Sequence, residues 1–186
     1  MKNLRYAVII VFVAVLVSCK AKNQIAKQVS EPTEQMLVEQ DEDVITGPTK
    51  RNTLETEKFG MWFNSGYENY GVDTSFIHEL KTLLVDVDIT IFMGTWCEDS
   101  KRETPHFYKI LDVVNKTEAI NLITVNRERK TPEGLENGQN IIRVPTFIFS
   151  KDGKELGRIV EYPIESLEQD MLKILKGEAY EHAYSE

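Results

Sequence analysis

The sequence predicts an α/β domain built on a mixed β-sheet flanked by helices. Three observations lead there. A short β-branched run, Ile89-Thr90-Ile91-Phe92-Met93, precedes a stretch of helical character, and a second apolar run follows at 120–125. Strand, helix and strand in that order imply a right-handed parallel crossover. Two more apolar runs, 141–149 and 156–161, flank Lys151-Asp152-Gly153. The Asp-Gly pair marks a hairpin, and hence antiparallel pairing within the same sheet. Finally, Ile164, Leu167, Met171, Leu172 and Leu175 recur at helical spacing until Gly177 stops them. These signals predict helices on both faces of the sheet.

Taken in order, the chain begins with Lys2 and Arg5 ahead of an uncharged apolar run from Tyr6 to Val17. The run is shorter than the roughly 20 residues a bilayer span takes, so 1–18 reads as a secretory signal. Its end, Leu16-Val17-Ser18-Cys19, resembles the lipobox of bacterial lipoproteins. That resemblance implies cleavage before Cys19, a diacylglycerol on its sulfur and acylation of the new amino group. Two or three acyl chains hold a protein on a membrane where one does not. The expected location is the bacterial cell envelope. Lys20, with no acidic cluster directly behind it, points to a domain facing the periplasm.

Residues 19–57 then read as a lipidated flexible linker, polar and interrupted by Glu39-Gln40-Asp41-Glu42-Asp43 and Gly47-Pro48. Such a tether reaches on the order of 35 Å. The folded domain is expected over 58–178. It opens on an aromatic cluster, Met61-Trp62-Phe63 with Tyr67 and Tyr70, expected at the core edge. No strand is predicted ahead of residue 74. Asp73-Thr74-Ser75 offers N-caps for a helix carrying Phe76, Ile77, Leu80, Leu83 and Leu84. The helix after the 89–93 strand spans about 98–115 and is interrupted by Pro105. Residues 179–186 read as a polar tail.

Composition narrows the function classes. Against 22 basic residues stand 30 acidic ones, for a formal net charge of −8. That balance argues against a nucleic-acid partner, whose phosphates need a basic surface. Two cysteines, Cys19 and Cys97, cannot make a disulfide framework, and without a Cys-x-x-Cys pair no zinc site is expected. Neither a metal nor another cofactor is predicted.

The chemistry gathers at Trp96-Cys97-Glu98-Asp99-Ser100, on the turn between strand and helix. A cysteine at a helix start meets unpaired N–H groups and the positive end of the helix dipole. Both favour thiolate, the nucleophilic form. Ser100 can aim its hydroxyl at the sulfur, while Glu98 and Asp99 oppose Lys101 and Arg102. With Pro105 in the following helix and Val144-Pro145-Thr146 before the hairpin, the pattern resembles thioredoxin and its relatives over about residues 72–177. The resemblance implies a cis peptide bond at Pro145 facing Cys97. It also implies that Trp96, Val144, Pro145 and Thr146 line the place where an extended substrate segment binds.

The departures from that family define the function. Ser100 stands where dithiol members carry a second cysteine, and Ile91 where they usually have a buried acid. An intramolecular dithiol/disulfide cycle therefore cannot run. What remains for Cys97, with Ser100 beside it, is thiol-disulfide exchange on mixed disulfides or the trapping of client proteins. Its partners are then client proteins or small mixed disulfides, and an external thiol reductant. The alternative is a tethered, non-catalytic thioredoxin-fold module that binds partner chains beside Pro145.

Overall fold

The β-branched run at 89–93 lies at the centre of the sheet. In the computed structural model, which describes residues 43–185, it forms strand β2 (Asp88–Met93). Strand β1 (Gly47–Thr49), helices α1 (Arg51–Leu54), α2 (Glu57–Asn69) and α3 (Ile77–Leu83) precede it. Helix α4 (Glu98–Val113), strands β3 (Ile120–Thr124), β4 (Thr146–Lys151) and β5 (Lys154–Val160), and helix α5 (Leu167–Lys176) follow. The predicted signal, Cys19 and the linker up to residue 42 lie outside the described residues.

The strand order is β1-β3-β2-β4-β5. β2 and β3 run parallel, with Ile89 opposite Ile120, as a β-α-β crossover requires. β4 is antiparallel to both β2 and β5, with Phe147 opposite Ile91 on one side and Ile159 on the other. The hairpin turn is the predicted one. Asp152 and Gly153 both take positive φ, 52° and 75°, which matches the right-handed twist of the flanking strands. The fold is the expected mixed sheet flanked by helices.

Side-chain alternation sorts the core. Ile89, Ile91 and Met93 of β2 point to the same side as Phe147 and Phe149 of β4, and join one large cluster. Phe59 and Phe63 of α2, Leu80 of α3, Phe107, Ile110 and Leu111 of α4, and Met171 and Ile174 of α5 complete it. The Phe107 ring stacks on Phe147 at 4.2 Å, fixing α4 over the sheet centre. Each fully buried side chain of this size contributes about 1.5–3 kcal/mol.

The helices thus gather on one face, where both faces had been predicted. The opposite face carries a smaller cluster of Phe92, Val125, Val144 and Ile148, backed by Trp96 and Ile141. The irregular chain from 126 to 145 supplies part of that cover. Positive φ at Arg129, Gly134, Gly138 and Asn140 prevents it from winding into a helix. Side chains hold it instead. Asn126 Oδ1 accepts the Glu128 and Lys130 N–H groups, and Glu136 accepts the N–H and hydroxyl of Thr131.

Four boundaries depart from the prediction. Regular structure lies ahead of residue 58, where β1 pairs antiparallel with β3 and α1 follows it. Gly47-Pro48, read as a break, is a short edge strand, where proline's missing N–H is tolerated. The aromatic cluster, by contrast, holds its expected place at the core edge, carried by α2 and its C-cap: Phe63 is buried and Trp62, Tyr67 and Tyr70 pack half-buried against the large cluster, while Met61 stays 85% exposed. Strand β4 begins at Thr146, since the chain bends over 143–145 before it. Ile164 is exposed ahead of α5, whose true N-cap is Ser166, accepting the Gln169 N–H at 3.1 Å.

Candidate active site around Cys97

Cys97 is the N-cap of α4, with extended backbone at φ −93° and ψ 124°. Its N–H donates to Gly94 O at 3.0 Å, and its carbonyl accepts the Lys101 N–H at 2.9 Å. The thiol therefore stands one position outside the first helical turn. It is half-buried and donates to the Val144 carbonyl, with Sγ 3.1 Å from the oxygen. The Val144–Pro145 bond is cis. Loss of the thiol proton would break the bond to Val144. The sulfur could then turn toward the first-turn N–H groups of α4, which no side chain caps.

Trp96 lies beside the sulfur and packs with it against the smaller cluster. Its Nε1–H donates to Val125 O at 2.9 Å, and the Arg127 guanidinium sits 5.4 Å from the ring. The indole folds directly over Gly94. A Cβ at that position would stand 2.6 Å from Cε2 and Nε1, so no larger residue fits without displacing the ring.

Ser100 is fully buried, and its hydroxyl is turned away from the expected target. Oγ accepts the Gly94 N–H at 3.2 Å, so Ser100 clasps the turn that carries Trp96 and Cys97. No hydrogen bond joins it to the sulfur among the described residues. Thr146 is likewise buried, with Oγ1 donating to Arg143 O at 2.7 Å across the cis bond. Val144 and Pro145 are buried as well, so this loop offers backbone rather than side chains to a visitor.

The charges at the start of α4 are paired. Lys101 reaches Glu98 at 2.6 Å, and Arg102 reaches Asp99 at 2.6 Å and Glu103 at 2.7 Å. Neither acid on the first turn therefore acts as a lone charge beside the sulfur. Burial pushes the Glu103 carboxyl above its ordinary range, against the pull of Arg102. Burial also lowers His106, whose ring stacks on Tyr70 at 4.3 Å. Among the described residues no group of three His, Cys, Asp or Glu is placed to hold a metal ion.

Helix α4 runs on through Pro105 to Val113, where an interruption was expected. The proline ring packs on α2 at Gly66, where an added Cβ would meet Pro105 Cγ at 2.7 Å. Sequence reasoning missed three further parts of the site. Thr95, also buried, donates to Asp43 O at 2.6 Å and accepts the Ile45 N–H at 3.4 Å, so residues 43–45 are tied to the turn that carries Cys97. Glu161 donates its N–H to Pro145 O at 2.7 Å. Arg143 packs on the ring of Tyr184, at 5.2 Å, in the segment read as a polar tail. Two tyrosines four residues apart in that tail, Tyr180 and Tyr184, were the signal available.

No protein-family model matches the chain. A thioredoxin-like protein of Acanthamoeba polyphaga mimivirus is 28% identical over 82 residues, covering 44% of this chain and 58% of the viral protein. The match thus spans less than two thirds of that relative's length. Among solved structures, a Pseudomonas aeruginosa protein of unknown function aligns with a TM-score of 0.47 at 16% identity, covering 63% of this chain and 81% of that one. Mitochondrial thioredoxin 3 of Saccharomyces cerevisiae, in its oxidized form, aligns with a TM-score of 0.32 at 22% identity, covering 51% and 86%. In sequence, this chain is weakly similar to a thioredoxin-like protein.

Proposed function

We propose that the protein is a membrane-anchored, thioredoxin-like protein that acts through one thiol, Cys97. The observation that carries this reading is the half-buried Cys97 sulfur at the start of α4, 3.1 Å from the Val144 carbonyl of the facing loop. Cys97 gives its proton to solvent, and its thiolate attacks one sulfur of a mixed disulfide. A new bond joins that sulfur to Cys97 as the old S–S bond breaks and its other half leaves as a thiolate. An external thiolate then attacks the Cys97 adduct and restores the free thiol. Ser100 holds no second sulfur, so resolution must come from outside. Trp96, Val144, Pro145 and Thr146 form the wall against which the incoming segment lies.

The anchor in this reading is lipid on Cys19, in the bacterial cell envelope, with the domain in the periplasm. A second reading, a non-catalytic binding module, draws on one observation: the thiol is half-buried and its proton is engaged by Val144. One experiment separates the two. The protein is assayed with a small aromatic mixed disulfide and with a protein disulfide, as wild type, Cys97→Ala and Ser100→Cys. The single-thiol reading expects exchange with the small substrate, lost in Cys97→Ala, and no reduction of the protein disulfide. Ser100→Cys then gains that reduction. No exchange by the wild type, with partner capture intact in Cys97→Ala, would leave only the binding module.

A further inference from the structure

The segment after α5 is fastened down at the site by its own side chains. Helix α5 ends at Gly177, whose φ of 69° turns the chain back toward the sheet. Tyr180 donates its hydroxyl to Asp170 at 2.9 Å. Tyr184 then donates its hydroxyl to Glu161, sets its ring edge against Tyr162 at 6.3 Å, and lies under the Arg143 guanidinium at 5.2 Å.

These contacts converge on the loop that faces the thiol. Arg143 immediately precedes Val144, whose carbonyl accepts the Cys97 S–H. Glu161 reaches the other side of the same loop through its N–H to Pro145 O. Its backbone is contorted to do so. With φ at 67° and the Tyr162 N–H donating to Val160 O at 2.9 Å, Glu161 sits at the centre of a γ-turn of the strained hand. Its carboxyl also feels Asp99, two residues from Cys97, which adds to burial in raising its protonation point. Tyr184 thus bears on the corner between the 143–145 loop, the turn after β5 and the first turn of α4. The cover is partial: Ile142, Tyr162 and Ile164 remain exposed around it.

We propose that residues 180–185 form a displaceable strap over this corner, and that a client segment with an aromatic side chain takes the place of Tyr184 as it presents a disulfide to Cys97. The corner offers such a residue a carboxylate acceptor at Glu161 and a cation for its ring at Arg143. An exposed tyrosine satisfies both, as Tyr184 does. Tyr180 anchors the start of the strap, with its ring against the large cluster and its hydroxyl on Asp170, while among the described residues the Tyr184 end is held by one hydroxyl, one ring edge and one cation contact.

This inference rests on the single-thiol reading for its client, but its first test does not. Alkylation of Cys97 in the full-length protein is followed by mass spectrometry with iodoacetamide and with a polymer-linked maleimide. Tyr184→Ala should raise the rate for the bulky reagent at least fivefold and leave the small one within twofold. Tyr184→Phe, which keeps the ring, should fall between. An unchanged bulky rate overturns the strap, and so does an equal rise for both reagents, which would mean local unfolding. The second test compares two peptides as activated mixed disulfides, one with tyrosine and one with alanine beside the cysteine. Tyr184→Ala should accelerate the tyrosine peptide at least threefold more than the alanine peptide, and equal acceleration overturns the aromatic client. A freed thiol that alkylates as expected yet exchanges with neither peptide refutes the redox reading and leaves the strap standing.

Discussion

Gly94→Ala tests how the turn that carries Cys97 is built. The added methyl carbon would stand 2.6 Å from two atoms of the Trp96 indole, against an ordinary contact of about 3.5–4.0 Å. The ring must therefore retreat by about 1 Å, and it is pinned by its bond to Val125 O. The turn cannot yield instead, because Ser100 and Cys97 both fasten Gly94. Losing the indole hydrogen bond costs about 1 kcal/mol and overpacking about 1–3 kcal/mol. The φ of Gly94 lies outside the left-handed range, so alanine adds no backbone strain. It returns about 0.4–1 kcal/mol by restricting the unfolded chain. The expected net loss is about 1–3 kcal/mol. Urea unfolding followed by circular dichroism measures it, with Trp96→Ala as the second arm of a double-mutant cycle. With the indole gone, Gly94→Ala should cost less than about 0.5 kcal/mol. A penalty that persists in that background, or none in the wild type, would refute the account of the turn.

Three other outcomes are expected. Thr104 is fully buried in α4 with no partner for its hydroxyl among the described residues, so Thr104→Val should leave stability unchanged or raise it by about 1 kcal/mol in the same unfolding assay. Asp170 is fully buried and accepts the Ile164 and Glu165 N–H groups and the Tyr180 hydroxyl; Asp170→Asn strands at least one donor and should cost about 2–4 kcal/mol by urea unfolding. His106 is held below its ordinary protonation range by burial first and Arg102 second. An unfolded chain then binds that proton more readily, so stability present above the ordinary histidine range is lost as pH falls through the lowered value. His106→Gln should flatten the decline in stability between neutral and mildly acidic pH, and an unchanged slope would contradict this.

The sheet centre was legible because its residues obey one rule at a time. Ile89–Met93 is too short and too β-branched for a helix, and Asp152-Gly153 can close only a tight turn. The site's backbone followed from the resemblance at Trp96-Cys97 and Val144-Pro145-Thr146. What stayed hidden depends on partners distant in sequence. β1 has three residues and no periodicity of its own, so only its pairing with Leu122, Ile123 and Thr124 makes it a strand. Gly60, Asn64 and Gly66 disguised α2, whose glycine at 66 serves the close approach of Pro105. The direction of the Ser100 hydroxyl was decided by an N–H six residues earlier. The tail read as solvated because it is short and carries no large aliphatic residue, although its two tyrosines are what fasten it.

The clasp of Thr95 on residues 43–45 has a practical consequence for anyone who handles the protein. The chain arrives at the folded core beside the thiol, and the strap leaves it beside the facing loop. A purification tag or fluorescent fusion joined directly ahead of residue 43, or directly after the strap, would therefore start within the neighbourhood of the Cys97 sulfur. Cleavable tags, or insertion at the Asp152-Gly153 hairpin on the far end of β4, would keep such additions from masking or mimicking what they are meant to report.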